Sequence, residues 1–147
     1  MAHVRKLIRD NITSTLTGLT TTGSNVFQTR FYPIAEAKLP ALAIYTKSED
    51  TEYGTLKTPR TQIRTLDVTV EAYVAGNTNV DNTLDTIAVE VEEALFTDLT
   101  RGGNAKETRI NSFEADFSGD GENSVGVGRF SVEVIYVTLE NDVETAV

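Results

Sequence analysis

Few side chains in this sequence have the type and spacing that chemistry requires. The 147 residues include no cysteine and a single histidine, His3. That composition excludes disulfides, thiolate metal sites and cysteine nucleophiles together. A lone histidine near the start argues against Ser-His hydrolases and histidine-ligated zinc. Asp116, Ser118 and Asp120, followed by Gly121, resemble the first half of an EF-hand loop. The second half fails, because Val127 stands where a bidentate glutamate is needed and strands flank the segment instead of helices. Gly126-Val127-Gly128 lacks the third glycine of a dinucleotide fingerprint and opens a strand; the glycines read as easing a close strand approach or a bulge. P-loop, GxSxG and HExxH patterns do not occur. The 22 acidic residues offer many carboxylate pairs, but no tryptophan is present to stack a sugar. The sequence therefore predicts no enzyme, no metal and no cofactor.

The elements around these residues read as an α+β domain spanning residues 1–147. Val4, Leu7, Ile8, Ile12, Leu16 and Leu19 recur at spacings of three and four, the stripe of an amphipathic helix that Gly18 and the polar run 20–25 end. Short strands are expected at Val26–Tyr32, closed by Pro33, and at Leu42–Lys47. Residues 64–74 alternate, with Leu66, Val68, Val70, Ala72 and Val74 on one face and Asp67, Thr69, Glu71 and Tyr73 on the other: a half-buried antiparallel strand. Gly76–Asn79 marks a turn with Asn79 as helix N-cap. Val80, Leu84, Ile87, Ala88, Val91, Leu95 and Leu99 predict a second helix over 80–99. Gly102-Gly103-Asn104 breaks the chain, and a hairpin follows, Glu107–Ser118 and Val125–Leu139. The last strand carries Phe130, Val132 and Val134 on one face and Ile135, Val137 and Leu139 on the other, so it is central, twisted, covered on both sides or bulged. A loose tail is expected from about residue 141. The result is a mainly antiparallel sheet with two helices packed on one face and a long extended loop or hairpin arm.

Charge is distributed unevenly. Residues 1–64 hold nine Lys/Arg against five Asp/Glu, a net of +4; residues 65–147 hold four against 17, a net of −13. A total of −9 makes a poor phosphate binder, because nucleic-acid affinity rests on cationic neutralisation. The asymmetry fits either two unlike faces stacked between charged partners or a soluble acidic domain. The second helix presents Asp81, Asp85, Glu90, Glu92, Glu93 and Asp98 without a cation. Its acidic C-terminal half opposes the helix dipole, so that face is either solvated or met by a partner's cations. No apolar run is long enough for a membrane span, and MAHVRKLIRD meets charge too soon for a signal peptide. Loop 48–63 is longer than the ~12–15 residues usual in compact domains. Either it is a connection or it is an interaction arm, mobile when free and ordered at a contact. Its candidate interface residues are Glu49, Asp50, Glu52, Tyr53, Lys57, Arg60 and Arg64, with Tyr53, Arg60 and Arg64 the best anchors. The flanking strands are expected to end outside residues 51–60.

The pattern resembles the tail terminator (tail completion) proteins of long-tailed bacteriophages, the lambda-type minor tail protein U group. The resemblance lies in the opening helix VRKLIRDNI, in LPALAIYTKSEDTEYG as a strand running into an acidic loop, in RTLDVTVEAYVAG followed by VDNTLDTIAVEVEEAL as strand, turn and helix, and in a closing pair of strands ending in VEVIYVTLE. It covers roughly residues 4–139. It implies a virion protein of the tail's neck region, assembled in the host cytoplasm. Such a protein forms a ring, typically a hexamer, that caps the tail tube protein, stops polymerisation and gives the head–tail connector protein a docking surface. DNA passes through the lumen without being read. Two alternatives are another head–tail connector or neck protein, and a small acidic enzyme or ligand-binding domain, which would need a concave pocket with convergent polar groups.

Overall fold

The computed structural model describes residues 2–28, 39–76, 79–118 and 125–147. Its elements are α1 (Val4–Leu16), β1 (Val26–Phe27), β2 (Ala41–Tyr53), β3 (Thr61–Ala75), α2 (Val80–Phe96), β4 (Glu107–Ser118), β5 (Val125–Leu139) and β6 (Asp142–Ala146). The strands form one sheet in the order β1-β2-β3-β5-β4, with β6 added to β5. Among the described strands only β1 and β2 run parallel. Both helices lie on the same face, so the fold is the expected α+β arrangement.

Periodicity explains which face each element buries. Val4, Ile8, Ile12 and Leu16 of α1 are spaced by four and fully buried. Leu84, Ile87, Val91 and Leu95 of α2 face them across a core completed by Leu66, Val68, Val70, Ala72 and Val74 of β3 and by Phe130, Val132, Val134 and Tyr136 of β5. β5 keeps an unbroken register with β3 from Thr61↔Leu139 to Ala75↔Val125, so its apolar residues on both faces reflect a central position. The bulges lie in its neighbours, at Thr46/Ser48 in β2 and Ile110/Ser112 in β4. Gly126 and Gly128 make room for α2 and for the β4 rings: a Cβ at Gly126 would stand 2.3 Å from Val80 Cγ1, and one at Gly128 2.8 Å from Phe113 Cε1.

Several boundaries differ from the sequence reading. α1 ends at Leu16, and Leu19 sits in a turn bridged to Gly23. α2 ends at Phe96, leaving Leu99 beyond the helix and 39% exposed. Asn79 precedes α2 in a left-handed conformation (φ 60°) and its side chain caps nothing; its carbonyl accepts from Thr83 N instead, at 3.0 Å. β3 is not half-buried: Thr69, Glu71 and Tyr73 on its second face are also buried, Tyr73 packing with Ala43 and Val127. The tail is not loose. β4 starts at the Glu107↔Ile135 pair, which leaves the end of β5 open, and residues 142–146 return to pair there. The expected strand residues 29–32, Pro33, Asn77, Thr78 and the turn 119–123, with Asp120 and Gly121, lie outside the described residues.

The largest difference concerns the segment 48–63. β2 and β3 remain paired through Tyr53↔Gln62, so residues 51–53 and 61–63 belong to strands and the segment is a hairpin arm with residues 54–60 as its tip. Cross-strand pairing satisfies backbone groups that a free loop would leave to water.

The buried and exposed sides of α2 should separate in a mutational test. Leu84 is 2% exposed, so Leu84→Ala should cost about 2–5 kcal/mol of unfolding free energy. Glu92→Gln, on the exposed face, should stay within about 0.5 kcal/mol of the wild type. Chemical denaturation of the two variants checks the assignment, which fails if they unfold alike.

Candidate interaction surfaces

The seven residues expected at an interface divide into two settings. Glu49 and Arg64 are internal. The bulge at Thr46/Ser48 shifts the pleat of β2, so that Glu49 joins the helix-covered face alongside Leu66. There its Oε2 accepts from Arg5 Nη1 of α1 at 2.7 Å and from Arg64 Nη1 of β3 at 2.8 Å, while Oε1 accepts from the Tyr136 hydroxyl of β5. Arg64 also donates to Thr138 Oγ1 at 3.2 Å and to Gln62 Oε1 at 2.6 Å. Burial, then the bond to Glu49, pushes the Tyr136 phenol above its ordinary range. Burial, then the charges of Arg5 and Arg64, lowers His3, whose Nδ1 accepts from Arg5 N at 3.0 Å and caps α1. These groups are engaged within the fold, which removes Arg64 from the set of free anchors.

Asp50, Glu52, Tyr53 and Lys57 are exposed on the arm, and Arg60 is half-buried at the end of its tip. Arg60 grips Glu140 in the turn between β5 and β6, Nε to Oε2 at 2.9 Å and Nη2 to Oε1 at 3.1 Å, and its guanidinium lies 4.2 Å over the Tyr53 ring. Gly54 N donates to Thr61 O at 2.7 Å, and Thr61 N donates to Thr55 Oγ1 at 3.0 Å. The arm is thus braced at its tip, while Leu56 stands 96% exposed.

Sequence reasoning raised the acidic face of α2 as a possible partner surface but not the apolar surface beside it, along α2 and β4. Phe96 is 74% exposed, one position past Leu95 and so off the helix's apolar stripe. Phe96 and Leu99, with Leu95 and Ile110, line a groove of about 240 Å³ between the end of α2 and the start of β4. Phe113 and Phe117 continue the apolar character along β4 and are 41% and 53% exposed. The signal available in the sequence was the apolar residue on the wrong side of the helical period. Glu92 and Glu93 are exposed beside this groove, and no ion pair among the described residues reaches them. Two other carboxylates of the acidic face, Glu90 and Asp98, are not simply solvated, while Asp81 and Asp85 are exposed. Glu90 accepts from Thr21 N at 2.9 Å and from Thr21 Oγ1 at 2.6 Å. Asp98 accepts from the Thr100 hydroxyl and from the Gly102 N–H, which hold it below the usual carboxylate range. The cation that the acidic helix end needs comes from within the chain: buried Arg101 donates to the carbonyls of Leu95, at 2.6 Å, and Asp98.

The sheet face opposite the helices carries a polar network beside the small Ala43–Tyr73–Val127 cluster. Arg129 Nε donates to buried Glu71 at 2.6 Å and the Tyr73 hydroxyl donates to the same carboxylate at 2.9 Å; Ser131 donates to Asp67 and Arg109 to Glu133. Among the described residues no group of three His, Cys, Asp or Glu side chains is arranged to hold a metal, and no helix is long and apolar enough to cross a membrane.

No family model matches the sequence, and no curated protein matches it. A chain of the "Virion of native gene transfer agent (GTA) particle" is similar over 90% of each chain, at 12% identity and a TM-score of 0.49.

Two outcomes follow from this geometry. Glu49→Ala strands Arg64 and Tyr136 in a nearly closed site and should cost about 3–5 kcal/mol by urea denaturation. Arg5→Ala should cost clearly less, because the Arg5 side chain is 35% exposed against 7% for Glu49. The second outcome concerns acid. The Arg60 guanidinium, then the Arg60 backbone N–H, hold the Glu140 carboxyl below its ordinary value. A depressed carboxylate stabilises the fold above its unfolded pKa, about 4.3, and loses that contribution as pH falls through the depressed value. The protection factors of the Gly54 and Arg60 amides, which donate to Thr61 O and Glu140, should therefore fall over that acid range in the wild type, whereas Glu140→Gln should show low protection at every pH. Equal protection in both proteins at neutral pH would contradict the brace.

Proposed function

We propose that this chain is a structural subunit of a phage-type virion that caps the tail tube as a ring, stops tube polymerisation and presents the docking surface for the head connector. The observation that carries the ring is the placement of unlike surfaces on opposite flanks of one sheet. One flank offers the edge strand β4, the exposed Phe113 and Phe117, and the acidic side of α2. The other offers the β2–β3 arm with exposed Leu56 and Lys57. Surfaces of such different chemistry are not self-complementary. They favour a heterologous head-to-tail contact, which generates a ring when the rotation closes. The capping role, the hexameric count and the two partners, tube protein and connector, are supported by the sequence resemblance over residues 4–139. A net charge of −9 also suits a lumen that lets DNA pass without trapping it.

Negative-stain microscopy of the purified protein, alone and mixed with tail tubes, tests this reading. The expected result is weak, concentration-dependent oligomers in solution and a ring at one end of the tube. A tight two-fold dimer by light scattering, with no ring on tubes, would overturn it.

A further inference from the structure

Resting on that ring reading, we infer that the arm of one copy docks on the next copy, with Leu56 seated in the groove between α2 and β4 and Lys57 set against Glu92 and Glu93. Three observations converge on this contact. Leu56 is 96% exposed, more than any other large apolar residue described, on an arm tip braced by the Arg60–Glu140 pair. Bracing lowers the entropy lost when the tip docks. The groove is apolar where a leucine would enter, lined by Leu95, Phe96, Leu99 and Ile110, and its volume of about 240 Å³ exceeds the about 150 Å³ that holds a benzene ring. The charges match: Lys57 follows Leu56 directly, while Glu92 stands on the groove wall with Glu93 the next residue of α2, and Arg109, a cation on the same wall, is engaged by Glu133. The arm cannot fill the groove of its own chain. β3 and β5 separate β2 from β4 in the sheet, and Leu56 is almost wholly free of contacts. A second copy is the occupant that satisfies both features at once, since each copy carries one arm and one groove. A partner of another kind would leave one of them open.

The absence of cysteine makes the contact directly testable in the full chain. Leu56→Cys and Phe96→Cys alter exposed positions, so each variant should melt like the wild type. Under mild oxidation an equal mixture of the two should form a covalent pair that neither forms alone. The double variant should give a ladder ending at one closed ring size. Lys57→Glu should weaken association several-fold, as should Glu92→Lys with Glu93→Lys, and mixing the two reversed proteins should restore it. Leu56→Ser should loosen association by about tenfold or more, as for an interface anchor. Three results overturn the contact: Leu56→Cys cross-linking to itself, its cross-linking to tube protein in place of the Phe96→Cys variant, or no mixed pair while wild-type rings form. In the last case the ring reading stands and only the seat of the arm is lost. Absence of rings under every condition, with tubes present, would overturn both.

Discussion

A single carboxylate inside a nearly dry site constrains much of this molecule. Glu49 is charged and shielded, and such a group is tolerated only when its oxygens are filled by strong donors. Here the donors come from three other elements: Arg5 on α1, Arg64 on β3 and Tyr136 on β5. Meeting that requirement ties the start of the first helix to three strands. It also depends on the bulge at Thr46/Ser48, because an unbroken pleat would turn Glu49 to the opposite face. The bulge, the carboxylate and the length of the arm form one connected arrangement. The arm is the continuation of β2 and β3 beyond the point where Glu49 and Arg64 lock them together.

The second face of the sheet repeats this logic with different partners. Glu71 is fully buried between Arg129 and Tyr73, and Tyr73 packs against Ala43 and Val127. Two shielded carboxylates, one on each face, hold the strands in a unique register, since a slip by one residue would turn each to the opposite face, away from its donors. Gly126 and Gly128 complete the positioning. By yielding space they let Val80 and Leu84 of α2 and the rings of β4 approach β5, and this places the end of α2 over the start of β4 where the apolar groove forms.

The surfaces proposed for assembly follow from how internal demands were met. Cations that might have served as free anchors, Arg60, Arg64, Arg101 and Arg129, are engaged by Glu140, Glu49, helix carbonyls and Glu71 respectively. What is left outward is an arm tip with one leucine and one lysine, and an acidic helix flank with exposed phenylalanines. Such surfaces suit the proposed head-to-tail contact between copies.

How much of this was legible depended on the range of the interactions. The two helices, the long alternating strand 64–74, the closing hairpin and the packing of both helices on one face follow from hydrophobic period alone, because burial on one side imposes spacing of about 3.6 or 2 residues. The β2–β3 arm was legible as an unusual segment but not as paired strands. Its sequence, SEDTEYGTLKTPRTQI, is polar on both sides, so no alternation marks it. The tail strand at 142–146 was equally silent, since it pairs only because β4 stops short and leaves β5 an open edge. Glu49 and Arg64 read as surface residues in a charged run. Their burial was decided by a bulge and by partners 44 and 87 residues away from Glu49, on α1 and β5. Apolar spacing along the chain dictates which residues must leave water. Which charges leave with them is set by the folded arrangement, because a buried charge needs donors that distant segments bring together.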